Sequence, residues 1–260
     1  VRRYRVELCF SERLKELVRS PAGRSTRMVD FSGRRSIKDL IESMGIPHGE
    51  VGFMVRLEDH PIDFNYILRD GDRITLWERI PKQWRESGFS SLRPDPPRPL
   101  RFLADVHLGT LARRLRLLGF DTRYRNVSTD RRLAEISQKE QRVLLSRDRG
   151  LLMRRQVSHG VLVRGTDPDA QLQGLVVRMG LAGGIRPFTR CLACNGILKP
   201  VSAGDKEFAR LAKEIPDDII RLHRRFTFCS RCRRLFWPGS HYPRLIRIIN
   251  RVLEEQIKGG

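Results

Sequence analysis

Two cysteine pairs constrain this chain more than any other feature. Cys191-Leu192-Ala193-Cys194 and Cys229-Ser230-Arg231-Cys232 are C-x-x-C knuckles, the second starting 35 residues after the first ends. Four thiolates brought to one point make a tetrahedral zinc site, with Zn–S distances of ~2.3 Å. Two-residue gaps suit a metal better than disulfides, and no apolar leader points to an oxidising compartment. Residues 186–260 are therefore expected to form a zinc ribbon with a closing helix. Four sulfurs fill the coordination shell of zinc and leave no position for water, so this metal is structural. The insert between the pairs is expected to hold a helix over Asp205–Glu214.

Charge narrows the partner. The chain has 51 Lys+Arg against 30 Asp+Glu, a net of +21. Residues 1–80 hold 15 basic and 13 acidic residues, and the rest hold 36 and 17. Nearly all the excess lies downstream of residue 80, and most of it is Arg, whose guanidinium forks onto phosphate oxygens. Nucleic acid is the partner this implies. Arg221, Arg224, Arg225, Arg231, Arg233 and Arg234 crowd the second knuckle and would make the ribbon a phosphate-binding arm. A hydrophobic fraction of 40% excludes wholesale disorder, and no apolar run is long enough to span a membrane. A cytoplasmic protein is expected.

Residues 1–80 read as a small α/β domain. Tyr4, Val6, Leu8 and Phe10 alternate on one strand face, and a second strand fits Ser25–Phe31. Ser36 caps a helix that Gly45 ends, and further strands fit Val51–Leu57 and Arg73–Trp77, the last after the turn Asp70-Gly71-Asp72. This is the order of a β-grasp. The run Ile67-Leu68-Arg69-Asp70-Gly71-Asp72-Arg73-Ile74-Thr75-Leu76 resembles the ubiquitin-like sulfur carriers, which end in Gly-Gly directly after this strand. Here the strand continues into Glu78-Arg79-Ile80-Pro81, and Gly259-Gly260 follows a helix of another domain. A module that docks a protein partner or guides substrate is expected instead of a carrier. Residues 81–99, with Pro81, Pro94, Pro96, Pro97 and Pro99, read as an extended linker.

Residues 100–185 alternate strand and helix, which argues for a parallel sheet. Function gathers at the carboxyl edge of such sheets. Arg101–Ala104 ends in Asp105, Val143–Ser146 leads to Asp148, and Asp130 stands at the start of a helix. Several carboxylates around Mg²⁺ or Mn²⁺ are what phosphodiester hydrolysis needs. Asp105, Asp130 and Asp148 are the core ligands of this reading and Asp121 a fourth catalytic candidate. Glu135, Asp167 and Asp169 could complete the ring. Each acid has a plainer alternative: Asp130 and Asp105 can cap helices, and Asp148 can pair with Arg147 or Arg149. Arg113 and Arg116, three apart on the polar side of a helix, are placed to grip adjacent phosphates, and Arg147 and Arg149 flank Asp148.

Leu103-Ala104-Asp105, Leu111-Ala112-Arg113-Arg114-Leu115-Arg116, Leu118-Gly119-Phe120-Asp121 and Leu145-Ser146-Arg147-Asp148 resemble the Mut-seven C-terminal RNase domain, a PIN-like nuclease family with an appended zinc ribbon. Some bacterial members are similar in carrying a ubiquitin-like domain ahead of it. Phe236-Trp237-Pro238-Gly239-Ser240-His241-Tyr242 looks like the family's signature after its last Cys, and Ser146 stands where such domains more often carry Thr. The resemblance implies an α/β chain of three parts: a β-grasp domain, a PIN-like parallel sheet and a zinc ribbon. It also implies metal-dependent RNase activity on Asp105, Asp130 and Asp148. The RNA could be tRNA or another structured RNA, and the oligomeric state is left open. A non-catalytic RNA-binding protein or an adaptor is the alternative. His241, Trp237 and Tyr242 could touch RNA, or could pack beside the ribbon.

Overall fold

A computed structural model describes residues 3–18, 25–93, 95–202, 205–212, 215–223 and 225–258. Pro94, the end of the helix expected over Asp205–Glu214, Arg224 and Gly259-Gly260 lie outside the described residues.

The N-terminal elements are β1 (Arg3–Phe10), α1 (Glu12–Lys15), β2 (Thr26–Ser32), α2 (Ile37–Ser43), β3 (Phe53–Arg56), β4 (His60–Pro61), β5 (Arg73–Trp77) and α3 (Lys82–Glu86). Their five strands form one sheet in the order β2-β1-β5-β3-β4. β1 runs antiparallel to β2 and parallel to β5, the pairing of a β-grasp. Alternation buries Val6, Leu8 and Phe10 of β1, and Ile37, Leu40 and Ile41 of α2 are buried as well. The Ser36 hydroxyl accepts from the Asp39 N–H at 3.1 Å and so starts α2. At its other end Gly45 takes φ +87°, and the Ile46 N–H returns to the Ile41 carbonyl.

Part of the segment expected to be an extended linker, Lys82–Glu86, is helical, while most side chains of the segment stay exposed. Trp84 on α3 lies 5.5 Å from the Phe53 ring, and Phe89 lies 5.3 Å from Trp84. Leu92 donates to Gly52, and the Arg93 guanidinium donates to the carbonyls of Gly49 and Glu78. No proline falls between Pro81 and Pro94, so the backbone there can turn as α3; Trp84 is half-buried beside Phe53, and Phe89 stays 42% exposed.

The rest of the chain forms β6 (Arg101–Ala104), α4 (Gly109–Leu117), β7 (Asp121–Tyr124), α5 (Asp130–Glu140), β8 (Val143–Ser146), α6 (Arg149–Leu152), β9 (Gly160–Leu162) and α7 (Pro168–Met179). It continues with β10 (Leu198–Val201), α8 (Lys206–Leu211), α9 (Asp217–Leu222), β11 (Phe226–Cys229), β12 (Leu235–Phe236) and α10 (Tyr242–Lys258). Among its described residues the insert between the cysteine pairs carries two short helices where one was expected.

Packing divides the chain into two compact units that do not follow chain order. One is Val1–Arg98 with Thr129–Leu162, and the other is Pro99–Ser128 with Val163–Gly260. In the first, β8 and β9 pair in parallel, Leu144 facing Gly160 and Ser146 facing Leu162. All four residues of β8 are buried, as a strand of a covered parallel sheet requires. The buried Glu50 carboxylate accepts from the Leu162 N–H at 2.7 Å and ties the ubiquitin-like fold to β9.

In the second unit β6 and β7 pair in parallel and α4 connects them. Leu111, Ala112 and Leu115 form its buried face. Gly119 ends α4 at φ +95°, where a Cβ would overlap the Arg186 carbonyl. β10, β11 and β12 form an antiparallel ribbon. α10 buries Ile249 and Val252, and its Arg251 reaches Asp169 of α7 at 3.4 Å.

Candidate metal centre and acidic strand ends

The two knuckles are built alike. In the first, the Cys191 N–H donates to Gly196 O at 2.7 Å and the Asn195 N–H to Cys191 O at 2.9 Å. In the second, Cys229 donates to Arg234 O at 3.0 Å and Arg233 to Cys229 O at 2.7 Å. The residue after the second cysteine is left-handed in both, Asn195 at φ +68° and Arg233 at +59°. That reversal turns both sulfurs of each pair to the same side. Gly196 leaves them room, because a Cβ there would lie 2.8 Å from Cys229 Sγ.

The four sulfurs lie within 4.8 Å of one another, with Cys191 to Cys232 at 3.6 Å and Cys194 to Cys229 at 3.4 Å. A tetrahedron with metal–sulfur bonds of ~2.3 Å has edges of about 3.8 Å, so the quartet fits a zinc-sized ion. Among the described residues it is the only group of three or more His, Cys, Asp or Glu drawn that close. Three of the thiols depart from the value that free thiols share. Burial pushes Cys194 up, but the Gly196 N–H and the thiols of Cys229, Cys232 and Cys191 outweigh it and bring it to about 7. Burial and hydrogen bonds with the Cys194, Cys191 and Cys229 sulfurs, opposed by the Arg234 N–H, push Cys232 up to about 12, and burial likewise raises Cys191. A bound dication removes that competition by stabilising every thiolate at once.

The first knuckle is fastened to α4 and β7. The Arg116 guanidinium is buried and donates to Thr122 O at 2.9 Å and to Leu192 O and Ala193 O at 3.0 Å each. Asn195 accepts from the Thr122 N–H at 2.9 Å and donates to Asp121 Oδ1 at 2.8 Å. Arg190 lies 3.7 Å from the same carboxylate. Asp121 opens β7, at the amino end of the strand, where these two residues engage it. Arg116 therefore departs from its expected place beside Arg113 on a phosphate-facing surface. Burial of its guanidinium lowers its pKa, an effect the Cys191 and Cys194 thiols oppose.

The other acids are placed as follows. Asp105 ends the segment after β6, is 4% exposed, and accepts from the Val106 N–H. Asp130 is the first residue of α5, but Thr129 performs the capping, accepting from the Arg132 N–H at 3.3 Å. Arg154 stands 3.9 Å from the Asp130 carboxylate. Asp148 caps α6 through Oδ1, which accepts from Gly150 at 2.6 Å and Leu151 at 3.3 Å. Its own N–H donates to the buried Ser146 hydroxyl at 2.9 Å, and no ion pair with Arg147 or Arg149 forms. Among the described residues no donor reaches Asp148 Oδ2.

The auxiliary acids have other occupations. Glu135 faces Arg131 and Arg132, and the Arg131 hydrogen bond holds its carboxyl below the usual range. Asp167 caps α7, the N–H groups of Asp169 and Ala170 lowering its pKa. Asp169 bridges Arg114 at 2.8 Å and Arg251. Asp130 and Asp148 belong to one compact unit, and Asp105, Asp121, Asp167 and Asp169 to the other.

Of the arginines expected at nucleic acid, Arg113, Arg147, Arg231, Arg233 and Arg234 are exposed. Arg149 is half-buried and donates to the Leu17 and Gly45 carbonyls. Tyr242 stacks on Phe188 at 5.2 Å, and Trp237 lies 6.4 Å from Phe226, so both rings pack within the ribbon unit, while His241 is exposed. Asn195, Arg190 and Arg154 escaped the sequence reading. An Asn directly after a C-x-x-C was the available signal, since Asn tolerates the left-handed conformation a knuckle needs.

Comparison with known proteins finds no match among curated proteins and none among solved structures. Two family models do match: the Mut7-C ubiquitin over residues 4–82 and the Mut7-C RNAse domain over residues 100–249. With its five-stranded β-grasp sheet, parallel strands and sulfur quartet, this chain belongs to the Mut7-C RNAse domain family and carries that family's ubiquitin-like domain at its N-terminal side.

Proposed function

We propose that this protein is a metal-dependent ribonuclease that hydrolyses RNA phosphodiester bonds, with Asp105, Asp130 and Asp148 as the carboxylates for Mg²⁺ or Mn²⁺. The observation that carries the reading is Asp148. Backbone N–H groups hold its Oδ1 and leave Oδ2 for a cation, just beyond a strand of the RNAse-family segment. Asp105, at the end of another such strand, and Asp130, at a helix start where the dipole favours an anion, are the companions. A bound dication in such a site polarises the phosphoryl oxygen and makes water nucleophilic at neutral pH. The chain's own part is to hold the acids in place and to anchor the RNA backbone.

Asp121 is left out of the set because Asn195 and Arg190 occupy it. Zinc belongs in the cysteine quartet, where it stiffens an arm whose exposed Arg231, Arg233 and Arg234 meet phosphates. Four free thiols as ligands fit a reducing cytoplasm. The ubiquitin-like domain is the place for a protein partner, and tRNA or another structured RNA is the substrate class.

The test is cleavage of labelled RNA and DNA by protein stripped of loosely held metal, with Mn²⁺, Mg²⁺ or Zn²⁺ added back singly. Mn²⁺ or Mg²⁺ should restore RNA cleavage in the wild type and fail to do so in Asp105→Asn and Asp148→Asn. Salt-sensitive binding with no cleavage under any metal would replace this reading with the non-catalytic RNA-binding one.

A further inference from the structure

The residue beside Asp148 was expected to meet phosphate, and it does something else. Arg149 opens α6, and its Nη1 donates to Leu17 O at 2.5 Å and to Gly45 O. Leu17 follows α1, and its side chain is buried. Gly45 is the left-handed residue that ends α2, where carbonyl groups are left without helical partners. A guanidinium at such an end satisfies those carbonyls and meets the negative pole of the helix. Both acceptors belong to the ubiquitin-like fold, and they lie in the same compact unit as Asp148.

The next two residues of α6 hold the acid itself. The Gly150 and Leu151 N–H groups donate to Asp148 Oδ1, so the direction of its carboxylate is set by the first turn of a four-residue helix. A helix this short has little stability of its own. Fastening its first side chain to two backbone carbonyls supplies what its length does not.

We infer that Arg149 is a positioning residue: it clamps the first turn of α6 to the ubiquitin-like domain and thereby aims the Asp148 carboxylate. The ubiquitin-like domain is then part of the support of the acidic site as well as a place for partners. This rests on the ribonuclease reading for its catalytic consequence, but its structural half can be read without any turnover.

The experiment uses the full-length zinc-loaded protein with Arg149→Met and Arg149→Lys. Amide hydrogen exchange at Gly150 and Leu151 is the direct readout. Arg149→Met should raise exchange there by at least about tenfold, with the exchange of β1 and β5 unchanged. In cleavage assays it should lower kcat by roughly tenfold to a hundredfold and raise the Mn²⁺ needed for half-maximal rate, with the KM for RNA unchanged. Arg149→Lys, whose ammonium can reach one carbonyl, should recover part of both effects. Wild-type exchange at Gly150 and Leu151 in Arg149→Met overturns the inference. So does a raised KM with kcat intact, which would return Arg149 to phosphate binding. Loss of protection in a protein that never cleaves RNA would sink the ribonuclease reading and leave the clamp standing.

Discussion

The side-chain amide of Asn195 donates to the carboxylate of Asp121 at 2.8 Å and joins the first cysteine knuckle to the first residue of β7. Asn195 is buried, and its amide oxygen is taken by the Thr122 N–H. One side chain thus completes a knuckle, a strand start and a carboxylate. Asp121→Asn breaks this arrangement, because the amide offers one acceptor oxygen where Asn195 and Arg190 present two donors. It should cost about 1–2 kcal/mol in urea unfolding of the zinc-loaded protein. RNA cleavage in the folded fraction should persist. Abolished turnover at unchanged stability would put Asp121 back among the catalytic acids.

Arg113 and Arg116 separate by function. Arg116→Met leaves the carbonyls of Thr122, Leu192 and Ala193 without their donor and should lower unfolding stability by about 2–4 kcal/mol. Arg113→Ala should leave stability unchanged within roughly 0.5 kcal/mol and weaken RNA binding, with a shallower dependence on salt. The two quantities are measured by denaturant titration and by filter binding across a salt series. Equal stability losses in both variants would contradict the burial of Arg116.

Metal removal should act on the ribbon. Cys194→Ser is expected to abolish stoichiometric zinc and to lower the melting temperature, checked by metal analysis and calorimetry. Gly196→Ala keeps every ligand but brings a methyl to 2.8 Å from Cys229 Sγ, so zinc should transfer to a chelator faster than in the wild type. An unchanged transfer rate would mean that the second knuckle moves aside freely.

Acid should weaken the unit that holds Asp148 through His159. Burial lowers the pKa of this imidazole below 6.5, Arg93 lowers it further, and Asp95 opposes both. The unfolded chain therefore binds a proton at pH values where the folded chain does not. Stability is retained above the ordinary value and lost as pH falls from 6.5 toward the depressed folded pKa. His159→Gln should narrow the difference in melting temperature between about pH 7.5 and 5.5. A difference of wild-type size would assign the acid sensitivity to other groups.

Local chemistry made much of this protein readable from its residues alone. The β-grasp order followed from strand alternation, the Ser36 cap and Gly45, and the sulfur quartet from two-residue gaps between cysteines. Such signals lie within a few residues of one another, and they hold in any surroundings. Which arginines face water was decided by tertiary structure. Helical spacing puts Arg113 and Arg116 near each other, but residues three apart still diverge by about 60° around the axis. That rotation turns Arg116 toward carbonyls 76 and 77 residues away in the chain. Within the proline-marked linker, Trp84 of α3 lies beside the Phe53 ring, another partner distant in sequence. Arg149 likewise found its acceptors 132 and 104 positions earlier. A buried donor must find an acceptor wherever the fold supplies one, and sequence proximity does not reveal where that is.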